Sequence, residues 1–236
     1  MSSEYYEWLA RNEKPEEPRE LTPAEKRKNW WFYHKWFVLL GVLLAVIAAD
    51  IVWNSLSQAQ PDYRLAYVGR NPLPEDTVSA LQAALEELGE DADGNGKTTV
   101  EILQYVSGTD FSEETASRVT LVADIVECES YFFLLEDPEG FQQLNHALRY
   151  LDGTLPPEDA GAEGTFLLWS QCPVLAGLEL GDYTSQVLGK TATGRSQDVL
   201  ANLAFARRGF WSEKTTANLS ACDALWEILT EGAEKP

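Results

Sequence analysis

Residues 36–53 read WFVLLGVLLAVIAADIVW, 18 residues with a single charge, Asp50. A bilayer core is about 30 Å thick and a helix rises about 1.5 Å per residue, so roughly 17–25 apolar residues cross it. Trp30, Trp31, Phe32 and Tyr33 stand on one side of the run and Trp53 closes the other, as an interfacial aromatic belt would. A helix that is apolar all round needs either a large protein core or lipid around it. The flanking Lys26-Arg27-Lys28 and the aromatic cluster place this one in lipid. The sequence therefore predicts a transmembrane signal-anchor helix over residues 30–54. Asp50 lies about one turn from the far interface, within reach of headgroups or water.

Thr22, Pro23 and Glu25 form a start signal ahead of the span: a cap, a proline at the first helical position and an acid at the third. Lys26, Arg27, Lys28 and Lys35 precede the span, and the first basic residue after it is Arg64. The positive-inside rule then puts residues 1–29, a polar arm broken by Pro15, Pro18 and Pro23, in the cytoplasm. Everything after a linker at 55–61 is expected outside the cell membrane. Val46-Ile47-Ala48 and Ser57-Gln58-Ala59 are small-residue sequences of the kind a signal peptidase cleaves. The stretch before the run is long and acidic for a cleaved leader, so an uncleaved anchor is expected.

Charge separates the two parts. The chain has 38 acidic and 18 basic side chains, and residues 62–236 hold 30 of the acids and 11 of the bases, a net of −19. Such a surface repels nucleic acid and anionic lipid, so no nucleic-acid partner is expected. Cations, basic proteins and neutral ligands remain. Cys128, Cys172 and Cys222 are widely spaced, and the sequence allows one disulfide with a free thiol or three buried thiols.

The outer part alternates strand and helix patterns. Residues 63–68 are a strand ended by Gly69 and Asn71-Pro72. A helix over 74–88 turns Val78, Leu81, Leu85 and Leu88 to one side. A second strand is expected at 98–106. A helix capped by Asp110 follows, with the apolar stripe Ala116, Val119, Val122, Ala123 and Val126. The unbroken apolar run 131–135 reads as a strand covered on both faces. Asp137-Pro138 then caps a helix carrying Phe141, Leu144 and Leu148. Further strands are expected at 166–169 and 199–205, and a closing helix at 221–230. The order β-α-β-α-β-α predicts a three-layer α/β domain with a mainly parallel, mixed sheet.

The strand ending in a glycine loop, the helix LQAALEELGED, the helix SEETASRVTLVADIVECES, the strand YFFLL and the segment FQQLNHALRYLDG carry a resemblance. Residues 63–153 resemble the first lobe of type II extracellular solute-binding proteins, and LANLAFARRGFW is similar to the strand that returns to that lobe. The chain also resembles small membrane-anchored extracytoplasmic proteins of Gram-positive gut bacteria. Too few residues follow for a full second lobe. What the resemblance implies is a tethered single-lobe domain for a small solute or peptide. The residues themselves favour an interaction or structural module without catalytic activity that seeks a protein partner in the membrane or cell envelope, with the single-lobe binding domain as the alternative.

Open α/β sheets bind ligands at the carboxyl ends of their strands. That rule selects Arg70 and Asn71, then Ser107 and Thr109, then Glu136 and Asp137 as candidate ligand-binding residues. Asp137 has a second reading, as the cap before Pro138. Asp91, Asp93, Asn95 and Lys97 form a D-x-D-x-N-G loop with oxygens at the spacing of the first half of a calcium site. Position 12, where a bidentate Glu belongs, is Ile102, and the loop joins a helix to a strand. The same residues also read as a plain Asx/Gly turn. Gly96-Lys97-Thr98 is no phosphate loop, because the required earlier glycine falls on Asp91. No nucleophile elbow, zinc-helix motif or C-x-x-C occurs, and His146 has no partner set beside it by spacing. No catalytic activity is expected.

Overall fold

The computed structural model describes residues 3–12, 22–57, 60–108, 111–187 and 190–233. The chain divides into two compact units, Met1–Ala59 and Gln60–Pro236. The first holds helix α1 (Ser3–Asn12) and helix α2 (Pro23–Ser57). Two hydrogen bonds close the expected capping box of α2. The Thr22 N–H donates to Glu25 Oε2 at 2.9 Å, and the Glu25 N–H donates to Thr22 Oγ1 at 3.4 Å. Within α2, Pro23–Asp50 is long and apolar enough to cross a membrane, and none of its most apolar window is buried by protein. The helix continues through Ser57, so the first residues of the expected linker are helical.

The second unit is α/β. Its elements in order are β1 (Tyr63–Gly69), α3 (Glu75–Leu88), β2 (Val100–Val106), α4 (Phe111–Glu127), β3 (Phe132–Leu135) and α5 (Pro138–Asn145). Then come β4 (Phe166–Leu168), a 3-10 turn at Trp169–Gln171, α6 (Pro173–Ala176), β5 (Asp182–Val187) and β6 (Lys190–Arg195). The chain closes with α7 (Ser196–Leu200), β7 (Ala204–Arg207) and α8 (Leu219–Leu229). One sheet has the order β2-β1-β3-β7-β4. β1 runs parallel to β2 and β3, and β7 is antiparallel to both β3 and β4. The sheet is thus mixed, with its three parallel strands together. β5 and β6 form a separate antiparallel hairpin.

Side chains alternate across the strands and fill two apolar clusters. Tyr63, Leu65, Tyr67, Phe132, Leu134 and Phe205 join Leu81 and Leu85 of α3 and Leu225, Trp226 and Leu229 of α8. Ala66, Phe133, Leu135, Ala204 and Ala206 join Leu121 of α4 and Phe141 of α5. This two-sided burial explains why β3 is apolar without interruption.

Several local expectations change. Residues 199–205 are split: Val199 ends in a helical turn, and strand pairing starts at Ala204. α5 stops at Asn145, where His146 takes a left-handed conformation (φ 48°). Leu148 instead bridges to Arg208 outside the helix. The β5–β6 hairpin was not legible, because its Thr, Ser and Gly residues lack alternating hydrophobicity.

The main difference is the rotation of α4. Its exposed residues include Val119 (65%), Val122 (53%) and Val126 (62%), while Leu121, Asp124 and Cys128 are buried. The cause is Asp124. Its Oδ2 accepts from Tyr105 OH at 2.7 Å and from Ser130 Oγ at 2.5 Å, and its Oδ1 accepts from the Ser130 N–H at 2.9 Å. Arg208 Nη1 lies 3.9 Å away. A carboxylate with this many donors is stable inside, and the helix turns to put it there. A polarity pattern assigns Asp124 to solvent and so misplaces the face. The expected cap at Asp110 lies outside the described residues.

Candidate functional site

The three parallel strands end at the same edge of the sheet. A cavity of about 710 Å³ opens there, between α4 and α5. Val68 and Gly69 come from β1 and Arg70 follows it, Tyr105 and Val106 come from β2 and Ser107 follows it, and Glu136 and Asp137 follow β3. Leu121, Val122, Phe141 and Leu144 give it apolar walls, and Ser117 and Asn145 add polar groups. Of the residues expected from sequence, Arg70, Ser107, Glu136 and Asp137 line the cavity. Asn71 does not, and Thr109 lies outside the described residues. The α4 and α5 contributors were missed, because placing them needs the rotation of α4.

The loop after β1 is held tightly. Glu136 Oε2 accepts from the Arg70 N–H at 2.6 Å. Tyr67 OH donates to the Asn71 carbonyl at 2.8 Å, so Asn71 helps to fix the loop. Burial, and secondarily the charge of Glu136, push the Tyr67 phenol up to about 12. Glycine at 69 makes room for two side chains: a Cβ there would lie 2.1 Å from Tyr67 Oη and 3.1 Å from Glu136 Oε2, so a larger residue must push them aside. Asp137 Oδ1 accepts from the Gly140 N–H at 3.0 Å and caps α5. Both acids are thus partly used in construction. The Arg118 guanidinium is 3.4 Å from Glu114 one turn earlier on α4. At the floor, burial first and the hydrogen bond to Asp124 second raise the Tyr105 phenol far above its ordinary range. Tyr105 therefore stays a neutral donor committed to Asp124. His146 is exposed, and its side chain has no hydrogen-bond or ion-pair partner among the described residues.

The D-x-D-x-N-G loop gains a residue from β1's entry. Ligand oxygens of Asp62, Asp91 and Asp93 all lie within 4.8 Å of one another. Asp62, 2% exposed, holds the loop: its Oδ1 accepts from the Ala92 and Asp93 N–H groups, both at 3.0 Å. Its Oδ2 accepts from the Thr99 N–H at 2.8 Å and Thr99 Oγ1 at 3.1 Å. Asp91 Oδ2 accepts from the Gly96 N–H at 2.7 Å, and its Oδ1 accepts from those of Gly94 and Asn95. The Gly96 bond above all holds the Asp91 carboxyl below the usual range. Gly94 and Gly96 have φ of +74° and +90°, which glycine adopts without strain. Asn95 Oδ1 accepts from the Lys97 N–H at 2.9 Å, so Asn95 and Lys97 close the turn and stand outside the carboxylate trio. The only sequence sign of Asp62 was an acid directly before a strand. The trio fits a hard cation by donor type, yet each carboxylate already accepts N–H bonds, so the loop has its own internal support.

All three cysteines are free and buried. Burial pushes the Cys172 thiol up to about 11 and, with help from Asp223 and Asp62, the Cys222 thiol up to about 12. Cys172 and Cys222 thus sit in the core as neutral thiols.

Comparison with protein-family models, curated proteins and solved structures finds no significant match for this chain.

Proposed function

We propose that this chain is a single-pass membrane protein whose outer domain is a non-catalytic binding module, with its ligand site at the carboxyl ends of β1, β2 and β3. The observation that carries the reading is the cavity of about 710 Å³ at that edge. Its size falls in the range of small-ligand sites, roughly 300–1,000 Å³, and its apolar walls with few polar groups suit a solute or a short peptide segment. The strand-end location is where open α/β sheets place ligands. The element order and the returning antiparallel β7 support a kinship with a single solute-binding lobe. The apolar clusters on both sheet faces support a three-layer arrangement.

In this reading α2 anchors the chain with residues 1–29 in the cytoplasm. The support is the placement of Lys26, Arg27, Lys28 and Lys35 before the apolar run. The Asp62, Asp91 and Asp93 trio is read as a weak calcium site of the extracellular kind, about 10⁻⁴ to 10⁻³ M.

Native mass spectrometry of the full chain, released from detergent micelles without chelator, tests the ligand reading. We expect a retained organic mass that is lost in Ser117→Trp, a substitution that fills the cavity from α4. A bare protein mass under every purification condition overturns the reading.

A further inference from the structure

We propose that the exposed valine face of α4, with the cavity mouth it borders, docks an amphipathic basic helix of a partner protein. The argument starts from what α4 leaves uncovered. Val119, Val122 and Val126 stand at helical spacing and are 65%, 53% and 62% exposed. Ala116 and Ala123 are exposed on the same helix. Leu144 of α5 is 76% exposed across the cavity. Val122 and Leu144 also line the cavity, so the stripe and the cavity form one continuous apolar surface. From Ala116 to Val126 the face runs roughly 15 Å at about 1.5 Å per residue, close to three turns of a second helix laid along it. A connected apolar surface of this kind marks a contact site.

Charge decides the occupant. Around the apolar surface stand Glu114, Glu136 and Asp137, with Glu127 at the end of α4, against Arg70, Arg118 and Lys214; Arg118 pairs with Glu114, so the acidic excess there is small and the bias comes chiefly from the domain as a whole. Glu127 is itself within 2.5 Å of Lys214. Behind them, residues 62–236 carry 30 acids and 11 bases. A second copy would bring the same net charge of −19 against this face, which opposes self-association. Anionic lipid is opposed for the same reason. A helix with apolar residues at i, i+3 and i+7 and lysines or arginines on its flanks matches both the stripe and the field. Its apolar side chains would lie along the valines, and one would enter the cavity beside Phe141.

This inference shares Val122 and Leu144 with the proposed ligand site, so the test separates the two. The full chain in phosphatidylcholine nanodiscs is titrated with two designed peptides of about four turns that carry the same leucine stripe. One has lysine flanks and the other glutamate flanks, and binding is read by fluorescence anisotropy. We expect the lysine peptide to bind at least about tenfold more tightly. Its affinity should fall several-fold between about 50 and 300 mM salt, as the Debye length shortens. Hydrogen exchange should slow in α4 on binding. Val119→Asp and Val126→Asp, both more than half exposed and outside the cavity lining, should each weaken the lysine peptide about tenfold without changing the circular dichroism. Equal binding of the two peptides overturns the proposal, as does full binding by the aspartate variants. Protection of α4 by the nanodisc alone assigns the face to the membrane surface and overturns it. A concentration-dependent dimer abolished by Val119→Asp assigns the face to a second copy and overturns it. Retention of an organic ligand that depends on Ser117, together with equal binding of the two peptides, keeps the ligand site and overturns only the docking face.

Discussion

Removing the Asp62 carboxylate should destabilise the outer domain by about 3 kcal/mol, which is large against a typical total of roughly 5–15. The reasoning is a count of what Asp62→Ala strands. Four donors lose their acceptor: the N–H groups of Ala92, Asp93 and Thr99 and the Thr99 hydroxyl. A buried donor left unsatisfied costs about 1–3 kcal/mol. Asp93 is exposed and Ala92 and Thr99 are half-buried, so water reaches part of this set and the lower end applies. The three backbone groups then contribute roughly 1 kcal/mol each, and the hydroxyl adds less. Asp62→Asn keeps one acceptor but turns an NH₂ toward two donors, so about half of the loss is expected. Thr99→Val removes only the hydroxyl and should cost about 0.5–1.5 kcal/mol. Thermal unfolding of the full chain in detergent reads the series. About 3 kcal/mol corresponds to roughly 6–12 °C for a domain of this size. Hydrogen exchange should quicken at Ala92, Asp93 and Thr99 first. An Asp62→Ala loss under about 1 kcal/mol, or an Asn variant as stable as the parent, would refute the idea that this carboxylate holds the loop.

Four further outcomes follow from the same structure. Calcium at millimolar concentration should raise the unfolding temperature by a few degrees, and Asp91→Asn together with Asp93→Asn should abolish the rise while leaving magnesium without effect; an identical shift in the double variant removes calcium from this loop. Cys172 and Cys222 have folded pKa values raised above the ordinary 9.0, so the fold favours the neutral thiols. Their contribution is complete below about pH 9 and is lost as pH rises through 11–12; alkylation of the native protein at pH 8 should therefore be slow and should track unfolding. Gly69→Ala should destabilise by about 1–3 kcal/mol and reduce ligand retention, because the added Cβ displaces Tyr67 and Glu136 at the cavity edge; calorimetry and native mass spectrometry read the two effects. Asp223→Ala should cost about 1–3 kcal/mol in urea unfolding, since Arg149 and Arg207 both face that carboxylate and Arg207 is buried beside Trp226; Asp223→Asn should recover part of it.

The sequence by itself determined what local chemistry controls. Thr22, Pro23 and Glu25 specified the start of α2, because a capping box is closed by residues three apart. The apolar run specified a helix fit for a membrane, since a helix satisfies its backbone N–H and C=O groups within one segment. Asp137-Pro138 specified the start of α5, and the uninterrupted β3 announced a strand covered on both faces. From three parallel strands followed the edge where the cavity lies, and Arg70, Ser107, Glu136 and Asp137 with it. Tertiary structure alone decided the rest. Asp124 is buried because Tyr105 reaches it from β2, Arg208 from directly after β7 and Ser130 from the turn after α4, and that rotates α4 and puts three valines in solvent. Asp62 joins the Asp91 loop because β1 begins beside β2, a pairing across 37 residues that the loop's own spacing does not contain. Periodicity reports which residues share a face; only the partners brought by the fold determine which face is turned inward.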